Sequence, residues 1–432
     1  MSVKKLVVLA CICPVWFAPA VAAPGQARVS AKGQTDYYAR YLAHHKIQRE
    51  FFHTWPNSGS ISWGEFDSLD AFAFMYAARD DTYWLDVMIE HIDAMFANMR
   101  DTPDPQDLKF WEGYKDGFKG WGETDYDPRH NYQEYMVHDG RAVSPILKFV
   151  EFVYNDASLH AGYKDKADLY LKTVEENVIA KWRKNWQADR YKGEFKGMGI
   201  DLERWGGWSQ LRMPNNQYLA FTAALWIANS ISQSQYYKPA EAGLPEFYRT
   251  QSAAMLEGFK KDGLVHVEKY DSYWWAYGRT QGVIEGRPEH LGYAGMDCQA
   301  VIESHLRSGK IFDAKEMKIF VNTFIKAMWN GDRLKPAFAY FVSGAGGGDR
   351  CLDPDMIRFC AVDPVIYELA DRWLENHPGS IGSNRLTAVM AYLQSRPSRS
   401  YSTTSKSKPQ PTRNTNGGGQ GGRRCFRSRR SV

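Results

Sequence analysis

Between Arg287 and Gly309 the chain reads RPEHLGYAGMDCQAVIESHLRSG, and Arg287, Glu289, His290, Tyr293 and Asp297 fall within eleven residues of it. They sit where a Pro- and Gly-broken loop runs into a helix with an apolar stripe of Ala300, Val301 and Leu306. A helix start needs only one capping side chain. Five ionisable or phenolic groups at one helix mouth, preceded by Tyr273, Trp274, Trp275 and Tyr277, carry the chemistry of a sugar-binding cleft. Aromatic faces would take sugar rings, and the polar groups would accept, donate and hold a proton. Taken singly, His290 or Tyr293 could equally fill hydrogen bonds at a buried loop.

The elements that must hold these groups repeat. Thr35–Phe52 is helical in pattern, and Ser62–Ala78 is an apolar, aromatic helix opened by Trp63, Gly64, Glu65 and Asp67, with Thr82–Met99 as its amphipathic partner. A long loop rich in Pro, Gly, Asp and aromatics follows, Arg100–Gln133; loops of that length are usually functional or disordered, and the aromatics argue against disorder. His138-Asp139-Gly140 opens a helix ending near Tyr154, with a partner over Lys164–Trp186; Asn215-Asn216-Gln217 opens one ending near Ser232, with a partner over Ala240–Lys260. Tyr293 opens the fourth, ending near Ser308 and partnered by Ala314–Trp329; Asp363 opens the fifth, ending near Glu375 and followed by Asn384–Leu393. From Glu65 through Asp139, Asn216 and Tyr293 to Asp363 the steps are 74, 77, 77 and 70 residues, a spacing of two helices and a long loop. The first helix of each pair is apolar all round and belongs inside; the second faces water. Strand signals are short and local, as at Gly263–Glu268 and Phe338–Val342. The expectation is an all-α fold, an (α/α) toroid of about five to six helical hairpins over residues 23–395, because a closed ring would converge the long loops on one cleft.

Asn215-Asn216 at one inner helix mouth, followed a hairpin later by Arg287, His290 and Tyr293, resembles the Asn, His, Tyr and Arg set of the α/α-toroid polysaccharide lyases, including alginate and glucuronan lyases. The likeness in layout spans residues 60–395, while the motifs that carry it are short. It implies β-elimination on a uronic-acid polymer: Asn216, with a His, neutralises the uronate carboxylate, Tyr293 takes the C5 proton and returns it to the leaving oxygen, and Arg287 assists. Several such lyases follow the Asn with His, whereas Gln217 stands here, so the His role falls to His290 or His138. The chemistry explains the residue types. A proton beside a carboxylate is weakly acidic, so preorganised donors must hold that carboxylate nearly neutral while enolate-like charge builds. Tyr ordinarily titrates near 10, and a neighbouring cation such as Arg287 would help it act as a base. On its own, Asn215-Asn216 after Pro214 reads as a helix cap.

Two other classes stay open. A glycoside hydrolase on the same scaffold would use two cleft carboxylates from Glu65, Asp139, Glu289 and Asp297, about 6.5–9.5 Å apart for inversion, although Asp139 could instead pair with Arg141. A non-catalytic sugar-binding protein would use Trp63, Trp205, Trp208, Trp274 and Trp275 as stacking platforms, with most of the fifteen tryptophans in the core. In either enzyme reading the candidate substrate-binding residues are Asn215, His138, Trp63, Trp208, Trp275 and Glu289. Gly344-Ala345-Gly346-Gly347-Gly348 lacks the Lys-Ser/Thr of a phosphate loop. No His or Cys spacing fits zinc, so neither metal nor cofactor is expected.

The N-terminus reads as a secretory signal over residues 1–22: Lys4 and Lys5, then apolar Leu6–Trp16, then Ala20-Val21-Ala22 for cleavage. This implies a secreted or periplasmic protein. Of six cysteines, Cys298, Cys351, Cys360 and Cys425 would remain, with Cys351 and Cys360 the one close pair for a disulfide. The formal charge of +4 conceals ten Lys/Arg and no acid from Arg396 on and two lysines in the signal, leaving the body at −8. An acidic body argues against a nucleic-acid partner. The segment 396–432 lacks apolar periodicity and is expected to be a disordered basic tail. No later run is apolar enough for a membrane span; the partner that the lyase resemblance implies is an acidic polysaccharide.

Overall fold

A segment whose apolar residues recur all round needs neighbours on every side, whereas one apolar stripe leaves a wet face. Both kinds of helix occur in the computed structural model, which describes residues 35–45, 58–100, 117–122, 134–184, 214–280, 283–307, 310–380 and 384–396. In chain order these form α1 (Tyr37–His45), α2 (Phe66–Arg79), α3 (Tyr83–Ala97), α4 (Met136–Asn155), α5 (His160–Thr173), α6 (Asn215–Ile231) and α7 (Leu244–Gly258). Four short strands follow, β1 (Val265–Val267), β2 (Ser272–Trp274), β3 (Ala276–Thr280) and β4 (Val283–Pro288). The chain then makes α8 (Leu291–Arg307), α9 (Ala314–Asn322), α10 (Pro354–Ile357), α11 (Val365–Asn376) and α12 (Arg385–Ser395). The fold is all-α in character, as the periodicity led us to expect.

Helix α6 shows why the covered helices sit where they do. Leu219, Phe221, Ala223, Leu225, Ile227 and Ile231 are buried on different faces, and α4, α7 and α8 pack around them. Burying a Phe or Leu side chain fully contributes about 1.5–3 kcal/mol. The α4–α6 approach is so close that a Cβ at Gly140 would lie 2.4 Å from the backbone nitrogen of Phe221. Only glycine fits there. Further along, α2 packs on α4, α8 on α10, α10 on α12, and α12 on α2. The amphipathic helices lie against these: α3 on α2, α5 on α4, α11 on α10 and α1 on α12. A capping box at Asp313 and Glu316 opens α9, and Asn384 caps α12 through the Thr387 N–H; each cap stabilises by about 1 kcal/mol.

In the last pair the helix order differs from expectation. The 363–375 segment is expected inside, but α11 has one buried stripe, Ile366, Leu369, Ala370, Trp373 and Leu374. It is α12 that packs on α2, and the one-turn α10 takes the covered place beside α8. The spacing of α11, with Glu368, Asp371, Arg372 and Glu375 between the apolar positions, explains the exchange. Strand β1 falls within Gly263–Glu268 and pairs antiparallel with β2, Val265 opposite Trp274; Phe338–Val342 makes only isolated bridges. The β3–β4 hairpin, with its bulge between Ala276 and Gly278, was not foreseen. Of the aromatic run before His290, Tyr273 and Trp274 lie in β2 and Tyr277 in β3, with Trp275 between them. Cys351 and Cys360 are free thiols, each packed separately against the core, which corrects the expected disulfide. The signal segment, the tail beyond Arg396, most of the long loop, Trp205 and Trp208 lie outside the described residues. Among the described residues no helix is long and apolar enough to cross a membrane.

Candidate functional site

Trp63 lies in the π-helical turn Ile61–Glu65 that leads into α2. The Tyr293 ring stacks on it at 6.1 Å and 27°, and His138 meets it edge-on at 5.9 Å. The Arg141 guanidinium lies 4.7 Å from the indole centroid. Trp63 and Tyr293 pack on a small apolar cluster of Tyr135, Val137, Ala220 and Met296 that is separate from the main core. Four stretches far apart in sequence therefore meet here: the π turn, the start of α4, the first turns of α6 and the start of α8. Asn216 stands one helical turn before Ala220, on the same face of α6. It is buried, and its Oδ1 has no hydrogen-bond partner among the described residues.

Local sequence fixes the imidazole of His290. His290 precedes α8, its carbonyl accepts the Ala294 N–H at 2.9 Å, and its Nδ1 accepts the Tyr293 N–H at 3.4 Å. A histidine thus fills the role that Ser or Asp usually takes at a helix start. With Nδ1 accepting, the ring proton sits on Nε2. Burial, and then the charge of Arg350, hold His290 below the ordinary imidazole range, so it is neutral. Its ring lies 4.0 Å from that of Tyr293 and stacks at 3° on Tyr340, over whose ring Arg350 sits at 4.7 Å. Tyr277 of β3 completes the wall, 5.7 Å from Tyr293. Burial first, with Arg141 adding, pushes His138 down to about 3.

Of the residues singled out in sequence, Trp63, His138, Asn216, His290 and Tyr293 gather at this mouth. Others take different work. Asn215 donates to the Ala276 carbonyl at 2.9 Å and accepts from the Tyr218 hydroxyl at 2.9 Å, so it braces α6 against β3, and neither asparagine caps its helix. Trp275 is fully buried and donates to Asp297, so it is no stacking platform. Glu289 is 1% exposed and turned into the same interior. Arg287 is exposed on β4, without a contact to Tyr293 among the described residues. Trp208 lies outside the described residues.

The carboxylates named for a hydrolase are sealed too. Glu65 pairs with His91 beneath α2 and α3, while Asp139 meets Lys181 at 2.6 Å and Trp182 at 2.7 Å, not Arg141. Arg141 instead donates to the Ser62 carbonyl at 2.7 Å and to Asp67 at 3.2 Å. Three polar groups beside the mouth were given no part in the candidate site by the reading of the sequence. Asp67 keeps 48% of its side chain exposed; Asp353 lies against Gly295 in the turn after Tyr293, and burial pushes it up to about 7 despite Arg385. The third, Arg141, is one turn from His138, a spacing visible in HDGR. Among the described residues no three His, Cys, Asp or Glu are arranged to hold a metal ion. No protein-family model, curated protein or solved structure matches the chain.

Proposed function

We propose that the protein is a polysaccharide lyase acting outside the cytoplasm on a uronic-acid polymer of alginate or glucuronan type, with its site at one end of an (α/α) toroid. The ring is supported by the packing order α2, α4, α6, α8, α10, α12 and back to α2. The observation that carries the activity is the Tyr293 phenol held between the neutral His290 ring at 4.0 Å and the Trp63 indole at 6.1 Å. A sugar on this aromatic wall would present its carboxylate to the His290 Nε2–H and the Asn216 amide. Donation from fixed neutral groups stabilises the developing enolate without a full counter-charge. Tyr293, deprotonated, then takes the C5 proton, the C5–H electrons form the C4–C5 double bond, the C4–O bond breaks with its electrons on the leaving oxygen, and the Tyr293 O–H returns the proton to that oxygen, which restores the phenolate. Arg287, exposed on β4, is left to meet polymer carboxylates and not to tune Tyr293.

A screen of alginate, glucuronan and glycosaminoglycans for ultraviolet absorbance of an unsaturated uronate tests this reading. Tyr293→Phe removes one hydroxyl and should lower turnover by about 10²- to 10⁴-fold with folding intact. A hydrolase is the second reading, favoured by Asp353, whose pKa of about 7 suits a general acid. Reducing ends without absorbance, lost in Asp353→Asn and kept in Tyr293→Phe, would install it. Binding with no product at all would leave a sugar-binding protein.

A further inference from the structure

Glu289 and Asp297 are both 1% exposed and lie directly behind the His290–Tyr293 mouth. Trp275 ties them together: its carbonyl accepts the Glu289 N–H at 2.9 Å, and its indole N–H donates to Asp297 Oδ2 at 2.8 Å. Glu289 Oε1 accepts the His290 N–H at 3.0 Å, and the Glu289 carbonyl accepts the Val342 N–H at 3.1 Å. Each carboxyl group therefore has one donor on one oxygen. The other oxygens, Glu289 Oε2 and Asp297 Oδ1, have no hydrogen-bond partner among the described residues.

We propose that Glu289 and Asp297 hold at least one proton between them in the folded chain, and that this pair positions His290, and through its cap Tyr293, for the reaction proposed above. The positioning role rests on that lyase reading; the shared proton does not. A protonated carboxyl group supplies the O–H that the two orphan oxygens lack, whereas two buried carboxylates facing each other would cost several kcal/mol. Among the described residues no cation pairs with either carboxyl group. At and after the start of α8 the neighbours are the neutral His290 and the buried thiol of Cys298; beside α10 they are Asp353 and Asp355, both acidic. Arg141 and Arg385 are taken up by Asp67, Asp70 and Asp355, and Arg350 sits over Tyr340. Burial pushes Glu289 up to about 8, and burial followed by the charge of Glu289 holds Asp297 well above the carboxylate range.

The sign of the linkage follows. An unfolded Glu releases its proton near 4.5, while Glu289 keeps it to about 8 when folded. The folded chain thus binds more protons across that window, so the stability is full below it and is lost as pH rises through it. Urea unfolding of the full chain at pH 5 to 8, beside Glu289→Gln and Asp297→Asn, reads this directly. From pH 5 to 8 the wild-type unfolding constant should rise about 10²-fold or more relative to the chain carrying both amide substitutions, and less relative to each single variant, which keeps one buried carboxyl group, since one extra bound proton changes that constant about tenfold for every pH step of one inside the window. If Glu289→Gln fails to fold, Asp297→Asn makes the same comparison. On a cleaved polymer, the alkaline limb of kcat should move in both variants with KM held. Parallel unfolding curves for wild type and the doubly substituted chain overturn the shared proton, and an unmoved kcat profile overturns the positioning. Flattened variant curves in a chain inactive on every polymer would sink the lyase reading and keep the proton pair.

Discussion

The molecule handles polar groups in two opposite ways a few turns apart. In the body, Asp70 of α2 lies 2.5 Å from both Lys148 of α4 and Arg385 of α12. Arg385 also meets Asp355, which pairs with Arg358 at 3.0 Å, and Arg358 reaches Glu303 of α8 at 2.9 Å. Glu303 and Glu151 in turn hold Arg307. Burial alone would raise both Asp70 and Glu303. Lys148 and Arg385 pull Asp70 well below its usual range instead, and Arg307 with Arg358 takes Glu303 down to about 2. At the mouth, by contrast, the Trp63 Nε1–H and Asn216 Oδ1 are buried without partners among the described residues. Native interiors rarely leave such atoms unmatched. The body's charges are satisfied by one another and serve the assembly of helices; at the mouth these two neutral polar atoms are the ones that the lyase reading gives to a bound sugar.

That contrast can be broken most forcefully from the body. Asp70→Ala strands Lys148 and Arg385 as buried cations, so it should destabilise by about 3–5 kcal/mol in urea titrations. Replacing several members with apolar residues together should cost far less, because the expense lies in the unpaired charge. A smaller loss than about 1 kcal/mol for Asp70→Ala would mean that water reaches the network. Next comes Gly140→Ala. Its Cβ would press on the Phe221 backbone of α6, and forcing α4 and α6 apart should cost about 3 kcal/mol, the upper end for overpacking.

His138 probes the mouth with pH. An unfolded imidazole titrates near 6.5, and burial holds folded His138 down to about 3, so the unfolded chain binds more protons in between. Stability from this residue is present above pH 6.5 and lost as pH falls through the window. The difference between wild type and His138→Asn should change by about 2 kcal/mol from pH 7 to 5. Glu289 runs the other way over the same range, which is why the difference between chains, and not the raw curve, is the measurement. A flat difference would show that His138 is charged and solvated.

Much of the fold was legible because helix periodicity depends on local sequence. Apolar spacing placed α2, α4, α6 and α8 within a few residues. It placed α11 and α12 as closely but exchanged inside and outside there, because a one-turn helix, α10, too short to have a period, took the covered place. Tyr293, His290, Trp63 and His138 were legible because several reactive types crowded helix mouths. Trp275, Asn215 and Glu289 misled for a common reason: residue type says what a group can do, and only packing says which way it faces. The strand hairpin that turned Trp275 inward left no alternating pattern strong enough to read. Closeness in sequence suggests Arg141 as a partner for Asp139, yet on α4 the two point to different neighbours.

The finest test of the contrast uses two adjacent residues of one type. Asn215 and Asn216 are both 3% exposed in the first turn of α6, so burial alone predicts the same outcome for both. Their hydrogen bonds predict different ones. Asn215→Ala removes the hydrogen bonds to the Ala276 carbonyl and from the Tyr218 hydroxyl, and the loss of buried hydrogen bonds should cost about 1–3 kcal/mol. Asn216→Ala removes an amide oxygen that has no partner to strand, so stability should stay within about 0.5 kcal/mol of wild type. In the lyase reading the order reverses for turnover: Asn216→Ala loses a donor to the uronate carboxylate and should cost about 10²-fold or more in kcat, in the range seen for a single preorganised donor. Asn215→Ala should keep turnover while it remains folded. Equal stability losses would place Asn216 among the structural groups of the body, and the mouth would then lose its one amide aimed at substrate.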